Sequence, residues 1–215
     1  MTMRVVVDNG PGRKRASSGR ALKAAKPQIA IRPAVEADAP ALHALIAAHL
    51  EEGRLLPRAL DELAVHAPRF VVAVDNSPSG VRLRDDASAG QERIVGCAEL
   101  APLSPVVAEV RSLVVSRDAR RHGLGVRMVE DLAVRARRSG YARLSAFAHD
   151  PAFFVRRGFS IVPHTWVPEK IAHDCIACPL FRNCGQYAVV LEVANVERSS
   201  GLGRTAGERP SPAHV

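Results

Sequence analysis

The chain has 215 residues, of which 47% are hydrophobic, and its formal net charge is +8. The length suits one domain with flanking tails, and no apolar run approaches the roughly 18 residues that a membrane span needs. Six Phe, two Tyr and one Trp are too few for a stacking platform on single-stranded nucleic acid, so such a partner is not expected.

Much of the basic excess lies in residues 1–27, which we predict to be a disordered basic tail. Residues 194–215 are rich in Ser, Gly, Arg and Pro and are predicted to be a second disordered tail. The folded domain is therefore predicted over residues 28–193. The chain has four cysteines and no secretory signal pattern, which favours reduced thiols and a cytoplasmic location.

The first half of the domain alternates short strands and helices. Residues 29–33 predict a strand, followed by a helix that Asp38 caps and Gly53 ends. A second helix follows, and strands at residues 70–74 and 94–100 are joined by an exposed loop over residues 75–93. The predicted inward residues of the two helices are Leu42, Leu45, Ile46, Leu50, Leu60, Leu63 and Ala64.

The second half contains the most informative stretch. Residues 110–115 are apolar and β-branched, which predicts a buried strand, and helical spacing begins at Leu124 and stops near Gly140. Strands are predicted at residues 144–148, up to residue 162 and at residues 187–193, with a short helix over residues 151–158. This alternation predicts one α/β domain with a mixed sheet flanked by helices.

Between that strand and that helix lies a basic, glycine-containing turn. A helix start has unpartnered N–H groups and a favourable dipole for an anion, and glycine lets a phosphate approach the backbone. The turn fits neither a P-loop nor a G-x-G-x-x-G dinucleotide fingerprint. What it contains is R-x-x-G-x-G, in the order Arg120, Arg121, His122, Gly123, Leu124 and Gly125. The competing interpretation is a plain basic helix start.

This turn resembles the pyrophosphate-binding motif, R/Q-x-x-G-x-G/A, of the GCN5-related N-acetyltransferases (GNAT family). The match continues at residues 31–34 with Asp38, and at residues 153–159, which read F-F-V-R-R-G-F. Within the family, the chain is most similar to short N-acetylglutamate synthases of arginine biosynthesis. This similarity rests on residues 53–58, 96–98, 109–115, 168–170 and 174–175.

The resemblance implies the GNAT fold and acetyl-coenzyme A as cosubstrate. It places the pyrophosphate on the turn from Arg120 to Gly125. In the family, the central strand diverges from the next strand and the pantetheine arm lies in the gap. Carried over to this sequence, that implies backbone contacts from Leu113, Val114 and Val115.

Acetyl transfer to an amine needs a held donor, a deprotonated amine and a stabilised oxyanion. The resemblance implies Glu109 as the base, and Ser112 on the same strand is our second candidate catalytic residue. Two alternatives stay open: Glu109 as an ion-paired strand-end carboxylate, and Glu99 as the base. The hydroxyl that synthases carry on the strand after the helix is absent here, because Ala146, Ala148 and His149 occupy that region.

An acidic substrate needs cations of fixed geometry, and arginine offers a fork that matches a carboxylate. We predict Arg58 and Arg111 as substrate-binding residues, with Arg58 instead lying along a helix surface as the alternative.

Three cysteines form a C-x2-C-x5-C pattern, namely Cys175, Cys178 and Cys184, and His164 and His173 lie nearby. Three thiols and a histidine suit a structural zinc site. The alternative is a set of free thiols in a long loop.

The sequence therefore predicts a single-domain N-acetyltransferase whose acceptor is an amino acid, L-glutamate above others. Its expected partners are that small molecule and, for assembly, a second copy of the chain, with no membrane. Two alternatives remain: transfer to another small amine or a protein amine, and a module that senses acetyl-coenzyme A without turnover.

Overall fold

The computed structural model describes residues 28–53, 55–76 and 92–193. Within these ranges, seven strands form one mixed sheet in the order β1-β2-β3-β4-β5-β7-β6. The strands are β1 Ile29–Pro33, β2 Phe70–Asp75, β3 Arg93–Pro102, β4 Val107–Val115, β5 Arg143–Ala148, β6 Ser160–Val162 and β7 Tyr187–Glu192. The predicted mixed sheet is confirmed; the predicted tails and most of the predicted 75–93 loop lie outside the described residues.

Helices cover both faces of the sheet. They are α1 Ala39–Ala47, α2 Leu50–Gly53, α3 Leu60–His66, α4 Leu124–Arg138, α5 Ala152–Val155 and α6 Pro168–Lys170. Strand β2 shows why two layers form, because its alternate side chains enter different cores. Val71 and Ala73 pack with the α4 layer, whereas Val72 and Val74 pack with the α1 and α3 layer. None of the described helices is long and apolar enough to span a bilayer.

The prediction of one continuous helix from Asp38 to Gly53 is wrong, because the chain forms two helices, α1 and α2, with a break between them. His49 explains the break. Its ring nitrogen Nδ1 lies 2.8 Å from the Leu45 carbonyl oxygen, which is the group that the His49 N–H would bind in a continuing α-helix. The His49 N–H donates to Ile46 O instead, so the chain tightens and restarts as α2.

Two further expectations about this region need correction. Leu60 is 47% exposed at the first turn of α3, so the inward face of that helix is carried by Leu63. Asp38 does not cap α1 through its side chain. Its carboxylate accepts the Val35 N–H at 2.9 Å and a two-pronged ion pair from Arg32 at 2.7 and 3.0 Å, which fastens this turn to β1.

This ion pair makes part of the stability dependent on pH. Hydrogen bonding from Arg32 lowers the pKa of the Asp38 carboxyl below its ordinary value of 3.8. A lowered folded-state pKa contributes stability that is complete above the unfolded value and is lost as the pH falls through the folded value. We expect Asp38→Asn to reduce the free energy of unfolding by about 1–2 kcal/mol at pH 6, and the deficit to shrink below about pH 4. Urea unfolding from pH 3 to pH 7 measures it.

The control is Glu36→Gln, which changes an exposed carboxylate in the same turn. That variant should match the wild type at every pH. A deficit of Asp38→Asn that is the same at pH 3 and pH 6 would contradict the ion-pair explanation.

Strands β4 and β5 run parallel and then separate, which creates a gap between them. Their register ends at the pair Val110 and Ala146, although β4 continues to Val115. On the other side of β4, the ladder with β3 contains a bulge at Ser112, whose backbone is left-handed with φ 48°. A bulge bends a strand and re-aims its side chains, so β4 turns away from β5 at this point.

Candidate active site

The predicted anion-binding turn lies at the N terminus of α4. Gly123 is the residue before the helix and has φ 70°, a left-handed conformation that glycine adopts without a Cβ penalty. No side chain of the described residues caps this end, so the first N–H groups of a 15-residue helix are available to an external anion. Gly125 has a packing role, since a Cβ there would lie 3.4 Å from the Phe153 ring.

The basic side chains of the turn lie on the surface. Arg120, Arg121 and His122 are exposed, and Arg120 Nε also donates to the Val115 carbonyl at 3.0 Å. That bond joins the turn to the end of β4. The turn therefore combines a helix start, two arginines and a glycine backbone at the open end of the β4–β5 gap, which suits a diphosphate.

The gap itself is bordered by the β4 residues beyond the last pair with β5. Leu113 and Val115 are half-buried and pack toward the α4 layer, whereas Val114 is buried in the α1 and α3 layer. Gly96 of β3 lies across from them, and a Cβ there would be 3.1 Å from the Val114 carbonyl oxygen. Beyond Val110, the described strands pair with β4 from the β3 side only, which leaves its other edge toward the gap.

A buried ion-pair cluster lies where α3 meets the sheet. Arg58 Nη1 donates to Glu99 Oε2 at 2.8 Å and to Ser112 Oγ at 3.1 Å, and its Nε donates to Glu62 Oε1 at 3.0 Å. The Glu99 side chain is 1% exposed and that of Arg58 is 11% exposed. Arg58 precedes α3, and its guanidinium is bound inside the protein. The alternative of a surface-lying Arg58 does not hold.

A second cluster lies next to the first, on the same face of β4. Both oxygens of Glu109 accept from Lys170 Nζ, at 2.8 and 2.9 Å, and Oε2 also accepts from Arg111 Nε at 2.7 Å. Arg111 also pairs with Asp174, which Lys170 contacts at 2.9 Å. Glu109 is 3% exposed, so this carboxylate is enclosed by cations.

These contacts shift the ionisation of several groups. Burial opposes the charge of Arg58 and of Arg111, yet their carboxylate partners outweigh it and the pKa of each guanidinium is raised. Burial likewise opposes ionisation of Asp174, but Lys170 and Arg111 outweigh it and the pKa of this carboxyl is lowered. The side chains of Arg58, Arg111 and Asp174 therefore stay charged near neutral pH.

The structure thus brings the predicted site residues Glu109, Ser112, Arg58 and Arg111 into two adjacent clusters. Sequence reasoning assigned no role to Glu62, His66, Lys170 or Asp174. A signal existed in the helical spacing, because Arg58, Glu62 and His66 are four residues apart, as are Lys170 and Asp174.

The predicted zinc site is not formed. Across residues 28–53, 55–76 and 92–193, no three His, Cys, Asp or Glu side chains are grouped to hold a metal ion. Cys175, Cys178 and Cys184 are free cysteines, and they form no such group with each other or with a nearby histidine of the described residues. Burial also raises the pKa of the Cys175 thiol, which opposes the thiolate form that zinc binds. The alternative interpretation, a loop with three free thiols, agrees with the structure.

Comparison with known proteins agrees with this geometry. The model of the acetyltransferase (GNAT) family matches residues 45–159. An uncharacterised N-acetyltransferase of Chlorobaculum tepidum is 28% identical over 160 residues, covering 74% of this chain and 94% of its own. An amino-acid acetyltransferase of Neisseria meningitidis is 29% identical over 148 residues, covering 68% of this chain.

Among solved structures, N-acetylglutamate synthase from Neisseria gonorrhoeae, complexed with coenzyme A and N-acetyl-glutamate, superposes with a TM-score of 0.61 at 26% identity. The superposition covers 77% of this chain but 35% of the synthase, and the match to the meningococcal enzyme covers 30% of that protein. This chain therefore spans about a third of those longer enzymes. It belongs to the GNAT family of acetyltransferases and is an acetyl-coenzyme-A-dependent N-acetyltransferase.

Proposed function

We propose that this acetyltransferase acts on the α-amine of an acidic amino acid, with L-glutamate as the acceptor. The observation that carries the proposal is the pair of cations Arg111 and Lys170 beside the opening of the β4–β5 gap. Support also comes from the amino-acid acetyltransferase and the N-acetylglutamate synthase to which the chain is similar. With glutamate as acceptor, the product would belong to arginine biosynthesis.

For the cosubstrate, we propose that the turn from Arg120 to Gly125 binds the pyrophosphate of acetyl-coenzyme A. The pantetheine arm would then follow the free edge of β4 along Leu113, Val114 and Val115. The thioester would arrive near Ser112, where the strands part. The exposed helix start and the unpaired part of β4 are what support this path.

The acceptor carboxylates need donors that the protein leaves available. Arg111 uses Nε for Glu109 and Nη2 for Asp174, and its Nη1 donates to none of the described residues. Lys170 and Arg58 add positive charge on either side. We propose that Nη1 of Arg111 binds one substrate carboxylate and that Arg58 attracts the other.

The sequence predicts Glu109 and Ser112 as catalytic residues, and we propose that Glu109 acts by positioning the cations of the site. In the transfer, the neutral amine attacks the thioester carbonyl, a carbon–nitrogen bond forms, and the carbon–sulfur bond breaks with release of the thiol. Glu109 holds Lys170 and Arg111 in place at this site, and the Ser112 hydroxyl, bound by Arg58, lies at the bulge where β4 turns.

One observation favours a second candidate acceptor. The described side chains of the two clusters carry three cations, Arg58, Arg111 and Lys170, against the carboxylates of Glu62, Glu99, Glu109 and Asp174. A site with more carboxylates than cations also suits an amine that carries no acidic side chain.

A panel assay separates these candidates. The full chain is incubated with radiolabelled acetyl-coenzyme A and L-glutamate, L-aspartate, L-glutamine, L-lysine or a peptide amine, and kcat/KM is compared. We expect L-glutamate to give the highest value. A higher value for a neutral or cationic amine would overturn the glutamate proposal and leave the second candidate.

A further inference from the structure

Glu99 and Glu109 differ in the atoms that they leave available. Glu109 is bound on both oxygens by Lys170 and on one of them by Arg111 as well. In the described part of the chain, Glu99 is bound on Oε2 alone, by Arg58. Among the described residues, no donor forms a hydrogen bond to its Oε1, which leaves this oxygen able to take a proton.

Within the described residues, the unbound oxygen of Glu99 faces a histidine ring nitrogen that also lacks a hydrogen-bond partner. His66 Nδ1 is buried without a hydrogen bond in the described part of the chain, and it lies 3.9 Å from Glu99 Oε1 and 3.7 Å from Glu62 Oε1. A buried polar atom without a partner is rare enough to need an explanation. The His66 side chain is 25% exposed, so its ring spans from the buried carboxylate to solvent.

The position of Glu99 is also suitable for chemistry at the gap. Its register partner on β4 is Arg111, one residue beyond the last β4–β5 pair, whereas Glu109 is paired with Ser145 inside the ladder. Residues opposite each other in an antiparallel pair share a face. Glu99 therefore shares a face of the sheet with Arg111, at the point where β4 begins to separate from β5.

We infer that Glu99 accepts the proton of the acceptor's ammonium group and that His66 passes this proton to solvent. This inference rests on the established acetyl transfer and on acceptor binding at Arg111, as proposed above. The ammonium nitrogen loses one proton to Glu99 Oε1, His66 takes it at Nδ1 and releases one from Nε2 to water. The neutral amine then attacks the thioester carbon, and its second proton leaves with the departing sulfur as the thiol.

The charged and titratable groups around this pair define the site. They are Arg58 and Glu62 on the α3 side, Cys97 on β3 and Arg111 on β4. Burial raises the pKa of the Cys97 thiol to about 12, so it remains protonated throughout the working range. His66 is a positioning and relay residue here, because it acts through Glu99 rather than on the substrate.

The test compares Glu99→Gln and Glu109→Gln in the full chain, using whichever acceptor gives the highest kcat/KM in the panel. Glutamine keeps an oxygen for Arg58, which preserves the fold, and thermal unfolding verifies this. At pH 7 we expect Glu99→Gln to lower kcat about a hundredfold. The deficit should shrink as the pH approaches 10, where the free amine is already neutral in solution. Affinity for coenzyme A should not change.

Glu109→Gln should instead raise KM for the acceptor and keep the acid limb of the kcat/KM profile. His66→Ala should lose about tenfold in kcat and recover with added imidazole, which a packing role would not allow. Glu130→Gln, on the exposed face of α4, is the matched control and should behave as wild type.

A Glu99→Gln deficit that is equal at pH 7 and pH 10 would overturn the inference, as would loss of the acid limb in Glu109→Gln alone. The assay uses the acceptor that the panel selects. A panel that excludes glutamate as acceptor therefore leaves the role of Glu99 open to test, and a failure of the Glu99 test leaves the glutamate proposal unaffected.

Discussion

Replacing Gly123 with glutamate should lower the affinity for coenzyme A about a thousandfold. The new carboxylate would stand at the start of α4, where the turn from Arg120 to Gly125 is proposed to bind the pyrophosphate. Two like charges about 4 Å apart repel by about 4 kcal/mol at an effective dielectric constant of about 20, and every 1.4 kcal/mol is about tenfold in affinity. Isothermal titration calorimetry with coenzyme A measures the change.

The chain offers a matched control in Gly140, just beyond the other end of the same helix. Gly123 and Gly140 both have left-handed backbones, with φ of 70° and 85°, and a Cβ at either would meet nothing within 4 Å. Gly140→Glu should therefore lose similar stability, about 1 kcal/mol, and keep its affinity for coenzyme A. Equal affinities of the two variants would contradict the pyrophosphate site.

Replacing Arg111 with alanine should raise the KM for glutamate about ten- to a hundredfold. Its Nη1 donates to none of the described residues and is the donor that we propose for the substrate. A charged hydrogen bond in a half-buried site contributes about 1.5–3 kcal/mol. Arg111→Lys should recover little, because a point charge lacks the fork. The KM for acetyl-coenzyme A should stay within about twofold, since its phosphates are assigned to another turn. Steady-state kinetics with both substrates varied provides the values.

Alanine is not a suitable replacement at Arg58, because this arginine neutralises the buried carboxylate of Glu99. Arg58→Ala would leave a carboxylate that is 1% exposed without its cation, at a cost of about 3–5 kcal/mol in stability. Arg58→Lys keeps the charge and is the variant for kinetics, with an expected rise in the glutamate KM of about tenfold. Arg135→Ala, which breaks an ion pair on α4, is the control. If both Arg111→Ala and Arg58→Lys kept the wild-type KM for glutamate, the proposal of an acidic acceptor would lose its basis.

The sequence was sufficient to predict those parts of the fold that depend on neighbouring residues. The apolar run before Ser116, the glycines of the turn and the helical spacing from Leu124 to Leu132 are signals within one short stretch. Each specifies its own backbone through sterics and burial. The strand, the turn and α4 were therefore predictable, as was the alternation that builds a mixed sheet. The break in α1 was missed because a histidine ring, and no glycine or proline, takes the carbonyl that the helix needed.

The proposed acceptor site depends on tertiary structure. Arg58 meets Glu99 across 41 positions, and Lys170 meets Glu109 across 61. Such pairs exist only once the strand register, the bulge at Ser112 and the docking of α6 are set. Spacing along the chain carries no information about which cation faces which carboxylate. The sequence by itself determined the family, the sheet and the glycine-containing turn before α4, because these rest on contiguous residues. The fold alone decided that Glu109 is enclosed by cations, while Glu99 and His66 each keep an atom that no other described residue binds, because burial and ion pairing are properties of distant segments brought into contact.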